Sequence, residues 1–292
     1  MLGAAKDTAP SVGALLTRED LAKGFRALGL SGADTVLAQS SFKAFGGVSG
    51  GPKTVIEALL EVLGPDGTLA MPTFNWDDFG GKKLYSKRHT KPQTGVLCEM
   101  LMDWPGAYRI YHPIHGFTLV GRRAKELSEK VKNESSFEAS SLFGELHRSN
   151  AKIMLMGVNY RKGLTFFHYV EEAANVPYRK FIELKGSVEE LDGSVHEISM
   201  NYFGRRTKDV KYDIDKVQPF LETSENPVVR VGRIGGSAVK VMHARDVYER
   251  IMHALMQNPN LAVVPEWPEG FFQPPKNQKD KQKENHEERG KT

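Results

Sequence analysis

The chain has 292 residues, 40% of them hydrophobic and 26% charged, with 28 Gly and 15 Pro, a composition that excludes collagen, wholesale disorder and a disulfide scaffold. Lys+Arg 40 against Asp+Glu 36 leaves a net charge of +4, less basic charge than a dedicated DNA binder concentrates. The single cysteine, Cys98, can form neither an intrachain disulfide nor a cysteine-based zinc site.

The weakly apolar N-terminus is interrupted by Asp7 and Pro10 before a signal-peptide core can form. No apolar run approaches the roughly eighteen residues that a membrane span needs. A cytoplasmic location is therefore expected, with residues 1–16 as a loose leader. The spacing of Leu21, Phe25 and Leu28 predicts a helix over 17–29, with Thr17 and Asp20 as a capping box and Gly29 as its stop. Residues 35–39 read as a short buried strand, 40–51 as a Ser- and Gly-rich loop, 53–63 as a helix and 68–74 as a second strand. That succession is a βαβ unit and implies parallel strands with a right-handed crossover.

Residues 75–93 show no apolar period and read as a long loop, a feature that in a compact domain is usually functional or mobile. Helices follow around 95–103, 122–131, 141–150 and 164–176, and strands at 117–121 and 151–158. At 181–203 the period changes to two, which predicts an antiparallel hairpin turning at Leu191-Asp192-Gly193-Ser194. A last helix spans 243–258, and 271–292 is a charged tail, disordered unless a partner orders it. The fold class is α/β: a mixed central sheet, flanking helices and a late antiparallel hairpin.

Chemistry concentrates at three places. The loop from Ser40, Ser41 and Phe42 to Gly46 and Gly47 joins a buried strand to a helix, where open α/β sheets collect ligands and phosphates. It is neither G-x-G-x-x-G nor a Walker loop, which argues against NAD and ATP. His112-Pro113-Ile114-His115 reads by itself as a turn with one histidine buried and the other exposed. His168 and Glu171 lie one helical turn apart, a spacing that suits a general base with an orienting carboxylate and equally an ordinary surface pair. A zinc site from His112, His115, His168 and Glu171 has acceptable ligand types but no standard spacing. Cys98, inside an apolar helix, reads as a small hydrophobe. The segments 81–91 and 122–132 are basic, and Asp77 and Asp78 precede the first of them.

Together these segments resemble the aminoglycoside 3-N-acetyltransferase family, the antibiotic N-acetyltransferase fold, which is distinct from the GNAT superfamily. The resemblance runs through Gln39-Ser40-Ser41-Phe42 to Gly46-Gly47, then Gly64-Pro65-Asp66-Gly67-Thr68-Leu69 and Met71-Pro72-Thr73-Phe74, then His112-Pro113-Ile114-His115. It continues through Lys152 to Val158, Thr165-x-x-His168-x-x-Glu171 and Gly232-Arg233-Ile234-Gly235 with Ala244-Arg245-Asp246-Val247. It implies a single acetyltransferase domain over 17–270 that transfers acetyl directly from acetyl-CoA, as co-substrate, to the 3-amino group of a 2-deoxystreptamine ring, in an antibiotic-resistance reaction.

His168 then matches the catalytic histidine, with Glu171 orienting it and His115 on the acceptor side or in support of the base. Ser40, Ser41, Phe42, Gly46, Gly47 and Thr73 would line the CoA path, while Asp77, Asp78 and His112 would face the acceptor, with no metal. Two positions depart from the family pattern: Gln39 replaces its usual His and Gly116 its usual Ser. The basic balance also suits another amino sugar or a sugar nucleotide as acceptor. A catalytically decayed CoA- or carbohydrate-binding relative is the non-enzymatic alternative. The expected partner is a small-molecule amine, with no nucleic acid and no membrane; a homodimer is left open.

Overall fold

The computed structural model of the chain describes residues 15–76, 84–132, 135–223 and 225–264. Helix α1 (Arg18–Ala27) starts with the capping box read from the sequence. The Thr17 hydroxyl accepts from the Asp20 amide, and the Asp20 carboxylate accepts from the Thr17 amide at 2.9 Å; such a cap is worth about 0.5–2 kcal/mol. Strand β1 (Thr35–Ser40) runs into a short 3-10 turn at Phe42–Phe45. Helix α2 (Pro52–Leu63) follows with Pro52 at its start, and strand β2 (Thr68–Phe74) is buried along its whole length. β1 and β2 pair in parallel, with Leu37 opposite Ala70, so the βαβ unit is present.

The chain continues through β3 (Tyr85–Ser86), α3 (Val96–Met102), β4 (Tyr108–Ile110), β5 (His115–Gly121), α4 (Ala124–Lys130), α5 (Leu142–Arg148) and β6 (Lys152–Met156). Then come α6 (Tyr160–Gly163), α7 (Phe166–Ala174), and the long hairpin of β7 (Arg179–Glu189) and β8 (Val195–Arg205). The last part holds β9 (Lys211–Tyr212), α8 (Gln218–Glu222), β10 (Val229–Ile234), β11 (Ser237–His243), α9 (Ala244–Gln257) and β12 (Val263–Val264).

Seven strands form the central sheet in the order β10-β11-β6-β1-β2-β5-β4. The inner three, β6, β1 and β2, are parallel, and the flanks are antiparallel. Side chains alternate between faces, as the period of two requires. Val36, Ala38, Met154 and Met156 join one buried cluster with α1, α2 and α3, whereas Leu37, Ile153 and Leu155 join a second with α5, α7 and α9. Both faces of the sheet are covered, which is why its inner strands read as continuous apolar runs. Cys98 sits fully buried on α3, and burial pushes its thiol up to about 11.

The structure differs from the sequence reading in several places, of which four bear on the architecture. The strand expected at 117–121 begins at His115, so the second histidine of H-P-x-H lies in β5 and not in a turn. The stretch 75–93, read as loop, contains β3, which pairs with β7. The hairpin β10–β11, which extends the main sheet, has no counterpart in the sequence reading: its period-two pattern is short and broken by Gly232, Gly235 and Gly236. The hairpin expected at 181–203 is longer, and it forms its own three-stranded sheet with β3.

Gly157, just beyond β6, has φ 67°, and a Cβ there would meet the Ala44 Cβ and the Ser237 Oγ, the latter at 3.1 Å. The turn thereby lets the Ser41–Phe45 segment close over the end of the central strands. Gly157→Ala is expected to lower stability by about 1–3 kcal/mol, read from the urea midpoint at unchanged m-value.

Candidate active site

Helix α7 carries Phe166, Phe167, Val170 and Ala174 into the core, and Glu171, one turn beyond Phe167, is drawn under the surface with them. Its carboxylate is fully buried. One oxygen accepts from the Tyr178 hydroxyl at 2.6 Å; the other lies 2.5 Å from His168 Nδ1 and 2.8 Å from Arg179 Nε. A contact of that length between a ring nitrogen and a carboxylate carries a proton, so Nδ1 is the protonated nitrogen and Nε2 is left to accept. Arg179 Nη2 stands 2.8 Å from the same Nδ1 and acts there through its charge. Arg179 Nη1 donates to the Phe203 carbonyl at 2.5 Å, which ties α7 to the first and last parts of the β7–β8 hairpin.

Charge follows from this geometry. Burial pushes the Glu171 carboxyl up, but Arg179, His168 and Tyr178 together hold it below its ordinary value, as carboxylate. Burial first, and then Arg179, hold His168 below the usual histidine range, against the opposing pull of Glu171. His168 is therefore neutral near pH 7.

On the same face of the sheet, His112 and His115 are both buried, which corrects the expectation of one buried and one exposed. His112 Nδ1 accepts from the amides of Ile114 and His115, at 3.0 and 2.8 Å, so its proton sits on Nε2. That nitrogen is 3.4 Å from Ser136 Oγ, and Ser136 Oγ is 2.8 Å from His115 Nδ1. The chain of donors leaves the His115 proton on Nε2. Burial pushes His112 down to about 3, and burial with three neighbouring cationic or ionisable groups pushes His115 well below its ordinary value. The Phe137 ring lies between His115 and His168, at 4.9 and 5.4 Å. Among the described residues no group of three or more His, Cys, Asp or Glu could hold a metal ion, so the four side chains considered for zinc are not gathered as a ligand set.

A cleft of about 590 Å³ opens at the carboxyl ends of the parallel strands, where open α/β sheets bind ligands. Gln39, Ser40, Ser41 and Phe42 form one wall, Trp76 and the start of α3 another. Lys43, Arg161 and Lys162 bring three cations to its rim. Gln39 Oε1 accepts from the Thr165 hydroxyl at 3.4 Å, which connects this cleft to the start of α7.

Of the other sequence candidates, Thr73 is buried at the end of β2 and, by alternation with Met71, faces α3 and not α7. Gly46 and Gly47 follow the 3-10 turn; Gly47 packs on Leu15, and its carbonyl accepts from the Leu16 amide. Asp77 and Asp78 lie outside the described residues. Sequence reading missed Tyr178, Arg179, Ser136 and Phe137. Nothing in their spacing distinguishes them from structural residues, although an arginine two positions beyond the helix-stopping Pro177 is the one signal available.

The family model described as aminoglycoside 3-N-acetyltransferase matches residues 37–256. Aminoglycoside N(3)-acetyltransferase III of a Salmonella species is 27% identical over 79% of this chain and 88% of its own length. Aminoglycoside N(3)-acetyltransferase VII of Streptomyces paromomycinus is 30% identical over 58% of this chain and 64% of its own. Among solved structures, AAC-IIIb in a binary complex with CoASH superposes with TM-score 0.72 at 21% identity, covering 87% of this chain and 100% of that one. YokD from Bacillus subtilis gives 0.73 at 21% identity, covering 86% and 97%.

Burying neutral histidines couples folding to pH. The unfolded chain binds their protons from about pH 6.5 downward, whereas the folded chain refuses them, so stability falls as pH falls. Each such histidine contributes a slope of up to about 1.4 kcal/mol per pH unit. His112→Asn, which keeps a side-chain acceptor, is expected to flatten the stability profile between pH 6 and 4 by about one proton, measured by urea unfolding at stepped pH.

Proposed function

The chain belongs to the aminoglycoside 3-N-acetyltransferase family, a family of acyltransferases, and from that premise we propose that it transfers the acetyl group of acetyl-CoA to an amine of an aminoglycoside, with His168 as general base. The observation that carries this reading is the 2.5 Å contact of His168 Nδ1 with a buried carboxylate. That contact fixes the tautomer, so Nε2 is the basic atom. Glu171 orients the ring and stabilises the imidazolium that forms when His168 takes the amine proton. The imidazole then returns that proton to the departing thiolate. Tyr178 and Arg179 hold Glu171 in place and ionised.

Acetyl-CoA is a substrate in this reaction, and the cleft fits it in chemistry. Lys43, Arg161 and Lys162 offer charge to its phosphates, and Ser40 and Ser41 line the same cleft beside Gln39, whose side chain contacts Thr165 at the start of α7.

A second reading concerns the acceptor. Arg179 and Arg205 both act on His168, and Arg205 forms no ion pair among the described residues. That local positive charge favours an amino sugar less cationic than an aminoglycoside.

CoA release from acetyl-CoA, followed with a thiol-reactive dye across a panel of aminoglycosides and of neutral and anionic amino sugars, tests both. Turnover with a deoxystreptamine compound supports the first reading, turnover with another amine alone the second, and none with any amine overturns the proposal. His168→Ala is expected to lower kcat by about 10²–10⁴. In the wild type, kcat/KM is expected to fall with acidity through a value below 6.5, the ordinary value of histidine, because the base is held in its neutral form to lower pH.

A further inference from the structure

Gln39 is the next-to-last residue of the central parallel strand, on the face that carries Leu37, the face against which α7 packs. It is 5% exposed, and its side-chain nitrogen Nε2 has no hydrogen-bond partner. Its carbonyl Oε1 is engaged by the hydroxyl of Thr165, three residues before His168. The amide is thus oriented: its acceptor end points to the start of α7, and its donor end is left without a partner, buried just beneath the cleft that Gln39 lines. A buried N–H without a partner is costly in a folded protein and is retained where a ligand supplies the acceptor.

We propose that Gln39 Nε2 is a catalytic hydrogen-bond donor to the acetyl carbonyl oxygen of the bound thioester. The inference rests on the acetyl-transfer reading above. As the amine nitrogen bonds to the carbonyl carbon, the C=O π pair moves onto oxygen, and His168 takes a proton from the nitrogen. The oxyanion then lies against the Gln39 N–H. When the C=O bond re-forms, the C–S bond breaks, sulfur leaves with its electron pair and takes the proton back from His168. The N-acetyl product and CoASH account for every atom.

A donor of this kind strengthens its bond only as charge develops on the oxygen, so its removal lowers kcat and not affinity. His168 withdraws a proton at one side of the reacting carbon, and Gln39 stabilises charge at the other.

The test compares the wild type with Gln39→Leu and with Gln39→His, which retains a donor. It uses steady-state kinetics, calorimetric CoASH binding and the infrared C=O stretch of carbonyl-¹³C acetyl-CoA on the enzyme. Gln39→Leu is expected to lower kcat by about 10²–10³, to leave the acetyl-CoA KM and the CoASH Kd within about three-fold, and to shift the C=O band to higher frequency. Gln39→His is expected to recover most of the band position and part of kcat. An unchanged band and kcat in Gln39→Leu would overturn the proposal, as would a loss confined to KM and Kd, which would make Gln39 a wall of the pocket. The infrared band is read without an acceptor, so it reports on Gln39 even if no amine proves to be a substrate. Should Gln39→Leu fold poorly, Gln39→Met, of similar length and without a donor, carries the same comparison.

Discussion

One buried carboxylate organises the centre of this molecule. Glu171 has lost all its water, and an ionised carboxylate in that position persists only if protein groups replace the solvent. Three do: the Tyr178 hydroxyl, the Arg179 guanidinium and the His168 ring. Each group comes from a different local structure, helix α7, the turn after it and the first residue of β7. Electrostatic need therefore fixes the angle at which the hairpin leaves the helix. Removing any one partner leaves a buried charge short of compensation, which is more damaging than losing a surface pair of the same length.

The arrangement also separates two tasks that a solvent-exposed histidine would confuse. The Glu171 side holds a proton permanently on Nδ1, so Nε2 is the one nitrogen of His168 that can gain or lose one. Burial and Arg179 meanwhile keep the ring from being protonated at neutral pH. His115, a short distance away across Phe137, is set to the opposite tautomer by Ser136 and His112: its Nδ1 accepts, and its proton sits on Nε2. Two histidines on one side of the sheet, one in β5 and one on α7, are thus made chemically unlike by the contacts of their Nδ1 atoms.

Much of this was legible in the sequence, for reasons that can be named. The βαβ unit is announced by two apolar runs around an amphipathic helix with a proline start, and the Thr17–Asp20 cap by the spacing of two residues. His168 and Glu171 are adjacent in the helical period, so their meeting needs only that the helix form. Burial of the pair was not legible, because it depends on Arg179, and nothing local says that an arginine beyond Pro177 turns inward. The His112–Ser136–His115 chain was hidden for the same reason: its middle member is more than twenty residues from either histidine. The β10–β11 hairpin escaped because glycines interrupt its alternation, and its pairing with β6 is fixed by the sheet and not by its own residues. Gln39 stood out as a departure from the family pattern, but its unpaired amide is a property of the packing.

The burial of the only thiol, on the helix whose start forms a wall of the cleft, has a practical corollary. With no surface exposure and its ionisation pushed up to about 11, Cys98 holds almost no thiolate at neutral pH and is hidden from reagents that react with thiolates. A native solution is therefore silent toward such reagents, and sulfhydryl appearing there must come from small molecules. Unfolding releases one equivalent per chain. The cysteine is thus a built-in stoichiometric reporter, and its labelling rate in the native state measures how often α3 detaches from the sheet beside the cleft.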